Sequence, residues 1–151
     1  MTQPDRLASG YQPDFDIDYE IGKQGELYVL RIIDSLKEGQ RVEVKTDEMA
    51  ERTGNVYVEY ACKYRGEWKP SGIAITQAPL WAFVIGEAVV VAQTDRLKDI
   101  ARYYWDKPGH LKNCKVGSHP TRGVTIPLRE LIRMLAYGTP SVRQPRLDDA
   151  A

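Results

Sequence analysis

The sequence predicts an α/β fold, a layered sheet of mostly antiparallel strands with helices packed on it, and three observations carry that prediction. Apolar residues recur at helical spacing in three stretches, near 18–36, 94–105 and 128–136. Short alternating or continuous apolar runs suited to strands lie between them, at 41–45, 56–60, 81–85, 88–92 and 123–126. Their order is helix, three or four strands, helix, strand, helix, which is that of a sheet flanked by helices. At 151 residues the chain has the length of one domain, and 42% hydrophobic with 28% charged residues is the make-up of a globular protein.

Residues 1–15 and 138–151 are rich in Pro, Gly, Ser, Gln and Asp without apolar periodicity; both are expected to be poorly ordered tails around a domain at 16–137. Asp18 is placed to cap the first helix. Its Ile21, Val29, Leu30, Ile33 and Leu36 fall on a helical period, and Gly39 marks its end. Arg41 to Lys45 alternates, Val42 and Val44 against polar neighbours, as a half-buried strand does. After a polar stretch closing in Thr53, Gly54 and Asn55, a second run sets Val56, Val58 and Tyr60 against Tyr57 and Glu59. The two runs are expected to pair as a hairpin. Residues 65–80, around Pro70, Ser71 and Gly72, read as a loop, and 81–85 and 88–92 read as buried strands meeting at Gly86 and Glu87. Thr94 is expected to cap a helix to Trp105 with Leu97, Ile100, Ala101 and Tyr104 as its stripe. A basic loop over 106–123, a short strand at 123–126 and a helix from Leu128 to Ala136 complete the chain.

Composition excludes several classes. The longest apolar stretch, Ala78 to Val91, is broken by Gly86 and Glu87 and is too short for about 30 Å of hydrocarbon, so no membrane crossing is expected. The first fifteen residues lack the apolar core of a secretory signal, and Cys62 and Cys114 are too few for a disulfide framework. A reducing cytoplasm is the expected setting. Charge is balanced overall, 21 basic against 21 acidic residues, but unevenly spread. Residues 1–60 hold 13 acids and 7 bases, whereas 101–151 hold 4 acids and 9 bases.

The acidic half contains a pattern with chemistry in it. Glu43, Lys45 and Asp47 are spaced by two, so on a strand they share one face opposite Val42 and Val44. If the hairpin closes, Glu59 comes to about 5 Å from that comb between Cβ atoms. Glu26 falls on the same stripe as Leu30 and Ile33 and is expected to point at the sheet. Crowded carboxylates repel unless a cation neutralises them. Oxygen ligands suit Mg²⁺, with Mn²⁺ as substitute, which would polarise a phosphoryl oxygen and activate water while a lysine offsets charge. The plain alternative is a solvated face whose Glu43–Lys45 and Asp47–Lys45 pairs contribute about 0–1 kcal/mol each.

A helix bearing Gly22, Lys23, Gln24, Gly25 and Glu26, followed by Glu43, Val44 and Lys45, resembles the PD-(D/E)XK nuclease superfamily over about residues 18–92. Small phage-type members are similar in the order Glu-Val-Lys-Thr-Asp (43–47), Thr-Gly-Asn (53–55), an acid near Glu59, and Lys-Pro-Ser-Gly-Ile (69–73). The resemblance implies a restriction-endonuclease-like αβββαβ core, with a mixed, mostly antiparallel central sheet flanked by helices, and Mg²⁺-dependent hydrolysis of DNA phosphodiesters. It makes Glu26 the helix acid, and Glu43 with Lys45 the acid-x-Lys element. The chain departs from the pattern, since Asp47 and Glu59 follow acid-x-Lys instead of preceding it and Ala61 stands where a lysine would follow Glu59. Either Lys45 serves Asp47 and Glu59, which are then the principal metal ligands with Glu26 and Glu43 near them, or Glu43 and Lys45 keep the usual role and Asp47 assists. Pro13 and Asp14 imitate the family name but lie in the expected tail.

For DNA, Lys63, Arg65, Lys69, Lys112 and Lys115 are the expected cations that hold phosphates without reading sequence, and Ser71, in a turn or loop with Gly72 and Thr76, is a further expected contact. Tyr64 and Trp68 are placed to stack on bases, whereas Trp81 reads as core. His110, Cys114 and His119 lack the CxxC spacing and fourth ligand of a zinc site, and no Gly-rich phosphate loop indicates ATP. A homodimer would supply two sites for two strands. The competing readings are a non-catalytic DNA-binding module on the same fold, and a protein-interaction module whose acidic half meets a neighbour's basic half.

Overall fold

Pro13, whose missing N–H costs nothing in the first turn of a helix, opens α1 (Pro13–Lys37), five residues before the expected cap. The computed structural model describes residues 13–115 and 119–140. The remainder of both expected tails, 1–12 and 141–151, lies outside the described residues. The chain divides into two compact units, one ending at Gln40 and one beginning at Arg41. In the first, α1 leaves Leu27, Tyr28, Val29, Leu30, Ile33 and Leu36 exposed, and Gly39 follows it with φ 84°.

In the second unit the chain forms β1 (Val42–Thr46), α2 (Glu48–Thr53), β2 (Asn55–Tyr64), β3 (Glu67–Pro70), a 3-10 turn (Gly72–Ala74), β4 (Leu80–Ile85) and β5 (Ala88–Gln93). Then come α3 (Thr94–Trp105), β6 (Leu111–Cys114), β7 (Thr121–Pro127) and α4 (Leu128–Tyr137). The fold is α/β, with a mixed three-stranded sheet ordered β1-β4-β5 and an antiparallel four-stranded sheet ordered β3-β2-β7-β6. Both contribute to one core. Val56, Val58, Val124 and Ile126 from the larger sheet meet Trp81, Phe83 and Ile85 from the smaller one, with Leu97 and Ile100 of α3 and Leu131 and Met134 of α4. Burying each such side chain contributes roughly 1.5–3 kcal/mol. No helix among the described residues is long and apolar enough to cross a membrane.

The α3 stripe and the β4–β5 hairpin stand where the apolar pattern puts them. Four expectations are corrected. The 41–45 and 56–60 runs do not form a hairpin. β1 pairs parallel with β4, and β2 pairs with β7, because Asp47 to Gly54 is not a turn but a short capped helix that redirects the chain. Thr94 is not the N-cap of α3; Gln93 is, and the Thr94 hydroxyl donates to the Ala78 carbonyl at 2.6 Å. The expected 65–80 loop contains β3, joined to β2 by Arg65 and Gly66, whose φ values of 50° and 84° match a two-residue hairpin turn. The expected 106–123 loop contains β6, paired with β7.

Candidate active site

β1 is an edge strand, and its side-chain pattern is the reverse of the usual one. In register with β4, Glu43 faces the position of Trp81 and Lys45 that of Phe83, and both aromatics are wholly buried. Glu43 and Lys45 thus take the core side of the sheet at its margin, while Val44 is 58% exposed. That overturns the expectation of Val44 on the buried side. The Lys45 ammonium lies 2.7 Å from Glu43 Oε1 and 5.5 Å from the centre of the Trp81 ring, so two attractions hold it. The Thr76 hydroxyl donates to Glu43 Oε2 at 3.4 Å. These groups line an open cleft of about 440 Å³ together with Arg41 and Gln77, which are themselves joined at 3.2 Å.

Asp47 serves a different purpose. Its backbone N–H extends the β1–β4 ladder to the Val84 carbonyl at 3.0 Å. Its Oδ1 accepts from the Ala50 N–H, capping α2, and its Oδ2 accepts from the Tyr57 N–H in β2, both at 2.9 Å. A carboxylate has about four acceptor positions, so two remain. At the other end of α2, Gly54 adopts φ 70° and returns its N–H to the Ala50 carbonyl.

Glu59 is reached through the connector from Ser71 to Ala78. The Ser71 hydroxyl, 8% exposed, donates to Glu59 Oε1 at 2.6 Å, and the Ser71 N–H donates to the Tyr60 carbonyl at 2.9 Å. Gly72 follows with φ 52°, and a Cβ there would overlap the Glu59 carbonyl oxygen. Only glycine satisfies both demands. Gly72 and Thr76 also line the Glu43 cleft, so one short segment touches Glu59 at its start and Glu43 further along. Glu59 does not face 43 or 45 across a hairpin; its partner in the sheet is Gly123, and the register shifts between Glu59 and Ala61. Across that strand pair the Tyr57 ring lies where a side chain at Gly123 would stand, and its hydroxyl meets Thr121 Oγ1 at 3.0 Å. Burial pushes the Tyr57 phenol well above its ordinary value.

Glu26 lies on α1, in the first unit, and is exposed, as are Leu30 and Ile33 with which the sequence groups it. The site described here is drawn from the second unit alone. Among the described residues no group of three or more His, Cys, Asp or Glu could hold a metal ion. His110 is occupied otherwise, its Nδ1 lying 2.7 Å from the Thr125 carbonyl oxygen. Both cysteines are free thiols.

The expected DNA contacts gather on the four-stranded sheet, with one exception. Arg65 and Lys69 place their cations 5.2 and 5.6 Å from the Tyr64 ring, and Arg122 lies 3.9 Å over Trp68, which faces Lys63. Lys112 is on β6 and Lys115 just beyond it, both exposed. Ser71 is the exception, because its buried hydroxyl is donated to Glu59 and so positions that carboxylate. Sequence reasoning missed Arg41 and Gln77 in the cleft; their only signal is a polar pair flanking an apolar strand, which is common. No protein family, no curated protein and no solved structure matches the chain.

Proposed function

We propose that the protein is a metal-dependent deoxyribonuclease with a restriction-endonuclease-like core, hydrolysing phosphodiester bonds with Glu43, Lys45 and Glu59 at its site. The observation that carries this reading is the Glu43–Lys45 pair on the core side of an edge strand, beside buried Trp81 and open to a cleft, while a valine of the same strand is left exposed. A fold optimised for stability alone would exchange those positions, since the ion pair contributes about 0–1 kcal/mol and burying the valine contributes more.

Carboxylate oxygens suit Mg²⁺ or Mn²⁺. Mg²⁺ keeps several waters and takes one or two protein carboxylates, so a cage of three converging acids is not required. Glu43 and Glu59 are the proposed ligands, while Asp47, tied to the backbone amides of Ala50 and Tyr57, serves the architecture. Bound there, the ion supplies an activated water and a polarised phosphoryl oxygen. Thr76 and Ser71 hold the two glutamates, and Lys45 offsets charge that develops on the phosphate. The cations of the four-stranded sheet hold the DNA backbone.

The test is cleavage of plasmid, branched and single-stranded DNA in Mg²⁺ or Mn²⁺ by wild type, Glu43→Gln, Lys45→Met and Glu59→Gln, each checked for folding by circular dichroism. Loss of about 100-fold or more in the folded variants is expected. Equal behaviour of all four proteins on every substrate removes the nuclease reading. A second reading, a non-catalytic DNA-binding module, is favoured by the ion pair itself, because a carboxylate already neutralised by an ammonium has less need of a metal. It predicts no cleavage, and salt-sensitive binding that Lys112→Glu with Lys115→Glu weakens.

A further inference from the structure

Behind the connector that carries Ser71 and Gly72 is a second cavity, of about 250 Å³. Val58 and Val124 form its apolar floor, Tyr60 and Trp105 wall it, and Lys98 and Arg102 stand on α3 at its edge. The two rings meet at 4.3 Å between centres with a 52° tilt, so they form an angled wall instead of a slot between parallel faces. Trp105 is 41% exposed, an unusual surplus for a residue at the end of a helix whose stripe is otherwise buried. Lys98 and Arg102 are four apart and so share a side of the helix, next to Asp99, which takes Arg102 at 2.9 Å.

We propose that this cavity binds a single unpaired nucleotide, its base against Trp105 and Tyr60 and its phosphate on Lys98 and Arg102. Aromatic faces attract any base by stacking, and paired cations fit a phosphate that competes with Asp99 for the guanidinium. A cavity of about 250 Å³ has room for one base against the aromatic wall, with the sugar and phosphate at its open edge beside the two cations. A lipid chain would find the apolar floor but has no use for two aromatic walls. The cavity is tied to the proposed active site through the chain itself, since Tyr60 follows Glu59 in β2 and Ile73, at the cavity wall, follows Gly72. A nucleotide held there selects substrates with an unpaired base, and this selection rests on the nuclease reading, whereas the binding itself does not.

Equilibrium dialysis of the full chain in EDTA, where no metal-dependent cleavage occurs, tests the binding. The probes are deoxyadenosine 5′-monophosphate, deoxyadenosine, inorganic phosphate and a deoxyadenosine tetranucleotide. The monophosphate is expected to bind at least about tenfold more tightly than the nucleoside or phosphate alone. Trp105→Ala should weaken it about tenfold, Trp105→Phe should retain most of it, and Lys98→Gln with Arg102→Gln should erase the advantage over the nucleoside. Binding of the tetranucleotide alone identifies a strand as the source of the nucleotide; binding of both identifies a site open to free nucleotide as well. Saturable binding of neither, or binding indifferent to Trp105→Ala, overturns the proposal. Intact binding by a protein that cleaves nothing leaves this site standing and removes the nuclease reading.

Discussion

Two acids four residues apart, Glu43 in the cleft beside β1 and Asp47 at the entry to α2, are treated in opposite ways by the fold. Asp47 is bonded by the backbone amides of Ala50 and Tyr57, which belong to two different elements. Glu43 is bonded by the side chains of Lys45 and Thr76 at the wall of an open cleft. Amides cannot leave without undoing α2 or β2, whereas side chains turn about their own bonds. An acid that ties backbone together serves the architecture, and one held by other side chains in a cleft stays available to a ligand.

The largest expected effect breaks this comparison if it is wrong. Asp47→Ala removes a helix cap, about 1 kcal/mol, and leaves the Tyr57 N–H without its acceptor, a further 1–3 kcal/mol or so. A loss of roughly 2–4 kcal/mol in urea unfolding is expected. Glu43→Gln breaks only a partly exposed ion pair and should cost under about 1 kcal/mol, while abolishing the proposed cleavage. If the two substitutions destabilise equally, Glu43 is as structural as Asp47 and the distinction is lost.

This difference was hidden in the sequence. Glu43, Lys45 and Asp47 look alike in spacing, and period two does place them on one face, but periodicity does not say which face is buried. The outcome depended on β1 joining β4, 38 residues away by the Val42 and Leu80 register, in place of its neighbour β2. Long strand pairings carry no local signal, whereas the β4–β5 hairpin and the α3 stripe do, and those were legible residue by residue. The α2 helix was missed because six residues with one buried position, Ala50, are too few to show a period. Ser71 and Gly72 read from the sequence as loop residues, yet their reason, a hydroxyl for Glu59 and room for its carbonyl, exists only once β2 is folded beside them.

An intermediate effect sharpens the same comparison at Glu59, which shares features of both acids. Its Oε1 is held by a side chain, like those of Glu43, but by one that is buried. Ser71→Ala should therefore cost about 1–2 kcal/mol, between the other two, because a charge-assisted hydrogen bond is lost and water replaces part of it. Calorimetric melting of the variant beside Asp47→Ala and Glu43→Gln checks the ranking. A value at or above that of Asp47→Ala would show that the connector, not α2, is the main tie between these elements.

The smallest effect concerns Tyr57, whose amide is on Asp47 and whose hydroxyl is on Thr121, so that one residue spans a backbone tie and a side-chain tie. Burial raises its folded-state pKa above the ordinary 10.0, and burial does the same for Tyr104. The folded protein therefore keeps these protons after the unfolded chain has released them. The stability this contributes is full below about pH 10 and is lost as pH rises above it. Tyr57→Phe should cost about 1 kcal/mol at neutral pH through the lost hydrogen bond to Thr121, leaving the Asp47 tie intact. Above pH 10 the variant should lose stability less steeply than wild type, with the remaining slope owed to Tyr104, so the gap between them narrows. Urea unfolding of both proteins between pH 8 and 11 measures the two slopes; parallel curves would show that the Tyr57 hydroxyl does not hold its proton through the fold.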